Sequence, residues 1–136
     1  MRHALSRQNV DTVRGILEAF NRGDMHGFLD MCDPDIEWDL SQRLIDPESY
    51  RGHEGIKKFL EQLLDAWEEA PLMEAEELID AGDQVVAFVR VHGRGKGSGA
   101  AVEARIAQVW TIRGEKATRL EYYGDRTKAL NAVGLG

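Results

Sequence analysis

This chain has a single cysteine, Cys32, among 136 residues. No disulfide can form within it, which is the usage of a reducing compartment. Proline is scarce too, with three in all, so little of the chain is barred from regular elements. No apolar run reaches the length of a membrane span, and the opening segment MRHALSRQNV lacks the apolar core of a signal peptide. A cytoplasmic protein with no membrane partner is therefore expected. Basic residues are in deficit, 17 Lys and Arg against 24 Asp and Glu, for a formal charge of −7. Such a surface repels phosphate backbones, so nucleic acid is not an expected partner. What is present is an ordinary globular composition, 43% hydrophobic and 30% charged, in a length suited to one domain over residues 1–136.

Hydrophobic spacing predicts the elements. Val10, Val13, Leu17 and Phe20 fall at helical intervals, with Ile16 widening the stripe, so residues 9–22 read as a helix capped by Ser6 or Asn9 and closed by Gly23. Asp24 caps a second, short helix through Met31, with Cys32 on its apolar side, and Asp33-Pro34-Asp35 reads as the turn that stops it. Residues 36–40 alternate: Ile36, Trp38 and Leu40 on one face, Glu37 and Asp39 on the other. Residues 41–52 have no period and read as a surface loop placed to act as a lid. Residues 54–70 carry the longest apolar stripe, Ile56, Phe59, Leu60, Leu63, Leu64 and Trp67, with Pro71 just beyond. From Leu72 the period changes from 3.6 to 2, giving strands at 72–80, 85–92, 102–113 and 117–123. Asp125 is placed to cap a last helix, 126–133, ending at Gly134 with Leu135 packing back. Helices first and strands after imply an α+β domain, with helices on one face of an antiparallel sheet.

Several tempting motifs dissolve on inspection. GRGKGSG at 93–99 lacks the spacing of a phosphate loop and joins strand to strand, so a flexible hairpin loop accounts for it. His3, His26, His53 and His92 lie on different elements with no metal-ligand spacing, and no metal or cofactor is expected. Cys32 has no basic neighbour or helix N-terminus in evidence to activate it, and reads as a buried structural thiol.

The 102–125 hairpin is the informative stretch. One face of its first strand is Val102, Ala104, Ile106, Gln108, Trp110 and Ile112, apolar except for one amide. A lone amide in such a row needs a hydrogen-bond partner or a ligand. On the second strand Arg119, Glu121 and Tyr123 share one face and Thr118, Leu120 and Tyr122 the other. Two arrangements follow. Either Glu121 and Tyr123 join Gln108 and Trp110 in one pocket of apolar walls and convergent polar groups, or Glu121 faces solvent with Arg119 and Arg105. Asp39, beside Trp38, is a second carboxylate that burial could tune toward a base, or an exposed strand-end aspartate. For residues 85–92 the faces Val85, Ala87, Val89, Val91 and Phe88, Arg90, His92 are equally eligible to line a pocket.

Four segments resemble a known superfamily: FNRGD at 20–24, DPDIEW at 33–38, YRGHEGIKKFLEQL at 50–63 and VWTIRGEKATRLEYYGDRTKAL at 109–130. They are similar to the NTF2-like proteins, especially the SnoaL-like branch, and with the element order the likeness covers nearly the whole chain. The resemblance implies a cone: a curved antiparallel sheet wrapped around a long helix, a pocket inside, and a homodimer through the outer sheet face. Its members include isomerases, cyclases, dehydratases and plain binding modules, so fold alone does not select an activity. In members resembling ketosteroid isomerase, the base aspartate falls on Asp39, the oxyanion-binding tyrosine on Ile16 and the protonated aspartate donor on Gln108. In cyclase-like members a late-strand acid falls on Glu121. The Arg-x-Asp pair of an epoxide-hydrolase-like site is missing, since Arg105 is followed by Ile106-Ala107. The resemblance places Glu121 and Tyr123 inward. The resulting expectation is a site for a small, largely apolar metabolite, with proton transfer by Asp39 or Glu121, hydrogen bonds from Gln108 and Tyr123, and walls of Trp38, Phe59, Leu63, Trp67 and Trp110. The alternative is a binding or dimerisation module without catalysis.

Overall fold

The computed structural model describes residues 2–41, 49–65 and 67–135. Helices α1 (Arg2–Arg22) and α2 (Met25–Asp30) come first, followed by strands β1 (Cys32–Asp39) and β2 (Ser49–Arg51) and helix α3 (Gly52–Asp65). Strands β3 (Leu72–Ala81), β4 (Gln84–Arg94), β5 (Ala101–Arg113) and β6 (Lys116–Tyr123) lead to helix α4 (Arg126–Ala132). Among the described residues the strands form one six-stranded sheet in the order β2-β1-β6-β5-β4-β3. The domain is α+β, as its element order implies. The pairings are antiparallel except β1 with β6, which run parallel. Bulges between Ala75 and Glu77 and between Thr111 and Ile112 interrupt the ladders and add twist.

Helix α1 starts at Arg2 rather than near Asn9, because RHALSRQ is rich in good helix formers and extends it. Its stripe of Val13, Ile16, Leu17 and Phe20 is buried. Gly23, at φ +71, closes it in the left-handed region that glycine adopts without strain. Helix α1 also guards the sheet edge. Asn21 donates to the Met73 carbonyl (2.9 Å) and accepts from the Met73 N–H (2.8 Å), so its amide mimics one more strand beside edge strand β3.

Three further boundaries differ from expectation. Cys32 and Asp33-Pro34-Asp35 lie within β1 rather than at a helix end. Asp33 still forms its local turn, accepting the Asp35 N–H at 2.8 Å, and the sheet absorbs it as an irregularity between Cys32 and Glu37. Helix α3 ends at Asp65, not residue 70, because Trp67 pairs with Gly95 and the Glu68 N–H donates to the Arg94 carbonyl. Part of the expected 41–52 loop is strand β2, paired with β1, while residues 42–48, where the lid was expected, lie outside the described residues. Helix α4 is capped by Asp125 and closed at Gly134 as expected; Leu135 returns only its backbone N–H to Leu130, and its side chain is exposed.

Trp67 fixes the end of α3 against β4. A Cβ at Gly93 would stand 3.0 Å from two carbons of the Trp67 ring and 3.3 Å from Pro71 Cα. Gly93→Ala is therefore expected to cost about 1–3 kcal/mol by overpacking, read as a lower urea midpoint. Gly95→Ala, whose nearest neighbour would be a serine hydroxyl at 3.5 Å, is the control. Equal midpoints for the two variants would show that the Trp67–Gly93 contact yields freely.

The sheet separates two apolar layers. On the inner side, facing α1, α2 and α3, lie Ile36, Trp38, Leu40, Val85, Ala87, Val89, Trp110, Ile112 and Leu120. On the outer side Val86, Phe88, Ala107 and Val109 are covered by α4 through Ala129, Leu130 and Val133. The smooth face of β4 is thus the inner one, and Arg90 and His92 share the outer face with Phe88. Among the described residues no helix is long and apolar enough to cross a membrane.

Candidate functional site

The inner layer closes around a cavity of about 10 Å³, lined by Leu17, Phe20, Phe28, Trp38, Phe59, Leu60, Met73, Gln108, Trp110, Leu120 and Tyr122. Its aromatic rings contact edge to face: Trp38 with Phe28, Phe59 and Trp110 at centroid separations of 6.0, 5.5 and 6.3 Å. Helix α1 brings Leu17 and Phe20, α2 brings Phe28, α3 brings Phe59 and Leu60, and the sheet supplies the rest.

Two polar features sit in this apolar lining. Gln108, 1% exposed, is the one buried polar or charged residue among those described. The Trp110 Nε1–H donates to Gln108 Oε1 at 2.9 Å. An indole N–H can only donate, so this bond sets the amide's orientation: the oxygen is committed to Trp110 and the NH₂ end is the donating end. The second feature is Trp38. It is 3% exposed, and its Nε1–H has no hydrogen-bond partner among the described residues. A buried, unpaired N–H of this kind costs about 1–3 kcal/mol unless something accepts from it.

The expected convergence of Gln108, Trp110, Glu121 and Tyr123 does not occur. Gln108 pairs across the ladder with Tyr122 and Trp110 with Leu120, whereas Glu121 lies opposite Val109 and Tyr123 opposite Ala107. Because side chains alternate along a strand, Glu121 and Tyr123 project on the outer face. Asp39 follows them, paired with Glu121 across the parallel β1–β6 ladder, while neighbouring Trp38 turns inward. The residues expected to form one site therefore divide. Trp38, Phe59, Gln108 and Trp110 line the inner cavity. Leu63 and Trp67 pack at the margin of the inner layer without lining it. Asp39, Glu121 and Tyr123 belong to the other side of the sheet.

On that side Arg119 is the organising group. It donates to Glu37 and to Asp39 Oδ2 (2.9 Å), and its Nε stands 3.5 Å from Glu121 Oε1. The Tyr123 hydroxyl donates to Glu121 Oε2 at 2.8 Å. Hydrogen bonds from the Ser41 hydroxyl and backbone N–H hold the Asp39 carboxyl below its ordinary value, against the opposing effect of burial and with help from the Arg119 charge. Asp39 is thus ionised at neutral pH and paired, a poor reservoir of basicity. Burial, then the Glu121 hydrogen bond, pushes the Tyr123 phenol up to about 12.

A wider outer groove of about 370 Å³ lies beside α4, where the Arg126 guanidinium stacks 3.9 Å over the Phe88 ring and pairs with Glu77 at 2.9 Å. Cys32 is fully buried, and burial pushes its thiol up to about 12 despite the Lys116 charge, so it is not a nucleophile. His53 bonds the Cys32 carbonyl at 2.9 Å. Among the described residues no three His, Cys, Asp or Glu side chains gather as a metal site.

Sequence reasoning missed Arg119, Phe20, Phe28 and Tyr122. A signal for Arg119 was present: Glu37 and Asp39 share the polar face of β1, and a lone arginine on the polar face of β6 is the complement such a pair requires.

Residues 13–120 match the family model of the SnoaL-like domain. Among solved structures, TerC, co-crystallised with polyporic acid, is 27% identical with a TM-score of 0.73, over 93% of this chain and 97% of that one. A candidate polyketide cyclase from Xanthomonas campestris pv. campestris is 22% identical, TM-score 0.72, over 94% and 98%. A protein of ketosteroid isomerase-like fold from Catenulispora acidiphila, in complex with trimethylamine, is 20% identical, TM-score 0.70, over 92% and 93%. No curated protein matches significantly.

Proposed function

This chain belongs to the SnoaL-like domain family, and on that premise we propose that it binds a small, largely apolar molecule in the inner cavity without acid–base chemistry on it. The observation that carries this reading is the Trp38 indole, buried against the cavity with its N–H unpaired among the described residues. Structures keep such a group when something accepts from it. The aromatic and aliphatic lining supplies the apolar contact that most of a ligand's surface requires. The crystallisation of TerC with polyporic acid supports a small molecule as the class of partner. Among the described residues no carboxylate or histidine lines the cavity. Asp39 and Glu121 are separated from it by the sheet and engaged with Arg119, so neither is placed to transfer a proton there.

A volume near 10 Å³ holds about one water. Occupancy by a larger molecule therefore parts Leu17, Phe20 and Phe28, on α1 and α2, from Trp110, Leu120 and Tyr122 on the sheet. The test is titration with ethylbenzene and acetophenone, following the three indole N–H signals in ¹H–¹⁵N spectra. The Trp38 and Trp110 signals are expected to shift in a saturable way and the Trp67 signal much less. Asp39→Asn and Glu121→Gln are expected to leave the titration unchanged. The reading fails if no ring-sized apolar probe moves the inner indoles, or if the two outer substitutions abolish binding.

A further inference from the structure

Resting on that reading, we infer that the inner cavity selects an uncharged ligand with a carbonyl-type acceptor oxygen, and that Trp38 is the residue that makes the selection. Two of the polar side chains that line the cavity, Trp38 and Gln108, present donors. The Trp38 N–H is a donor with no partner among the described residues. The only acceptor oxygen of Gln108 is taken by the Trp110 N–H at 2.9 Å, which leaves its NH₂ as the end with hydrogens to give. A ligand hydroxyl or amine offered as a donor would have to compete with Trp110 for that oxygen. A ligand acceptor answers the unpaired donor directly.

Charge narrows the class further. Among the described residues no arginine, lysine or histidine lines the cavity, so a carboxylate ligand would leave water without a counter-charge from them. The walls contain Phe20, Phe28, Trp38, Phe59, Trp110 and Tyr122, and ring faces of this kind attract ammonium groups. An ammonium, however, leaves the Trp38 N–H as unpaired as before and sets a positive charge beside it. A ketone, aldehyde, quinone or lactone meets both demands: it is neutral, and its oxygen accepts. The rest of such a molecule is apolar and ring-sized, in keeping with the lining. The acceptor preference belongs to Trp38 rather than to the sheet scaffold, because Trp110 is already satisfied within the protein.

The experiment compares four probes of similar size: acetophenone, ethylbenzene, benzoate and phenyltrimethylammonium. Affinity is measured by calorimetry and by the indole N–H signals, on the wild-type chain and on Trp38→Phe, which keeps an aromatic ring and removes the N–H. Wild type is expected to bind acetophenone about tenfold more tightly than ethylbenzene, the factor that one well-placed hydrogen bond supplies. Benzoate and phenyltrimethylammonium should bind more weakly than acetophenone. The Trp38 N–H signal should move downfield with acetophenone and not with ethylbenzene. In Trp38→Phe the ketone and the hydrocarbon should bind equally, the retained hydrocarbon binding showing that the cavity is intact. Equal affinity for the two in wild type overturns the inference while leaving the binding reading standing, as does a ketone preference that survives in Trp38→Phe, or tightest binding of the ammonium. Failure of all four probes removes the binding reading itself. A Trp38 N–H signal that exchanges with a trapped water and responds to no probe has the same meaning.

Discussion

Replacing Trp110 by alanine is expected to destabilise the domain by about 3–5 kcal/mol, with a fall in Tm of more than about 10 °C. Trp110 is 1% exposed and is the largest of the fully buried side chains. Its ring meets Trp38 edge to face at 6.3 Å and 90°, and its N–H holds Gln108 at 2.9 Å. Truncation therefore does two things at once. It opens a void among residues from α1, α2 and α3 that are themselves held by the sheet and cannot fully collapse into it. It also strips the Gln108 oxygen of its donor, leaving a buried acceptor unpaired, for about 1–3 kcal/mol of the total. Gln108→Leu separates the two effects. That variant keeps the volume and orphans the Trp110 N–H, and should show the smaller loss alone. Urea denaturation followed by circular dichroism gives both values. A loss below about 1 kcal/mol for Trp110→Ala would mean that the inner layer is not packed as described.

The second large effect is at Arg119. Arg119→Met is expected to cost roughly 1–3 kcal/mol at neutral pH, a range between that of exposed and buried ion pairs, since its side chain is 35% exposed. The pH dependence is the sharper signature. In the native chain the folded Asp39 carboxyl lies below its ordinary value of 3.8, chiefly through Ser41 and with Arg119 contributing. A depressed carboxyl contributes stability above its unfolded value and loses it as pH falls through the folded one. Without Arg119, the Asp39 carboxylate faces Glu37 and Glu121 with no cation between them and loses the Arg119 part of its depression. A less depressed Asp39 contributes less stability above its ordinary value, and the native chain loses its advantage once the carboxyl is protonated. The gap between variant and native chain should thus be widest near neutral pH and close below about pH 4. Arg119→Lys should recover part of the difference, because lysine restores the charge without the planar fork that reaches several carboxylates at once. A deficit that stays constant from pH 7 to pH 4 would show that Arg119 acts through packing of its stem alone.

Much of this architecture was legible in the residues. The stripe Val13, Ile16, Leu17, Phe20 announced α1, and Ile56, Phe59, Leu60 announced α3, because burying one face of a helix demands that spacing. Asp125 and Gly134 announced the ends of the last helix through their local bonding. The change of period at Leu72 marked where the sheet becomes continuous. The isolated amide in the apolar row of β5 pointed correctly to Gln108 as a buried polar residue with a partner, though the partner proved to be Trp110, two residues along the same strand. Trp38, Phe59 and Trp110 were recognisable as interior rings.

What the chain could not decide alone was how strands share faces. Alternation tells which residues of one strand go together: Glu37 with Asp39, Glu121 with Tyr123, Gln108 with Trp110. It does not tell which set on one strand meets which set on the next, since a one-residue slip in pairing carries every side chain to the opposite face. Only the ladder, with Gln108 opposite Tyr122 and Asp39 opposite Glu121 in the parallel β1–β6 pair, settles that the acids stand outside and the amide inside. The sequence by itself thus determined most of the elements, their order and the membership of each face, because these follow from local periodicity, while β2 was missed because it exists only through its pairing with β1. The tertiary structure decided which faces combine, because that depends on contacts between residues as far apart as Asp39 and Arg119, which no local pattern encodes.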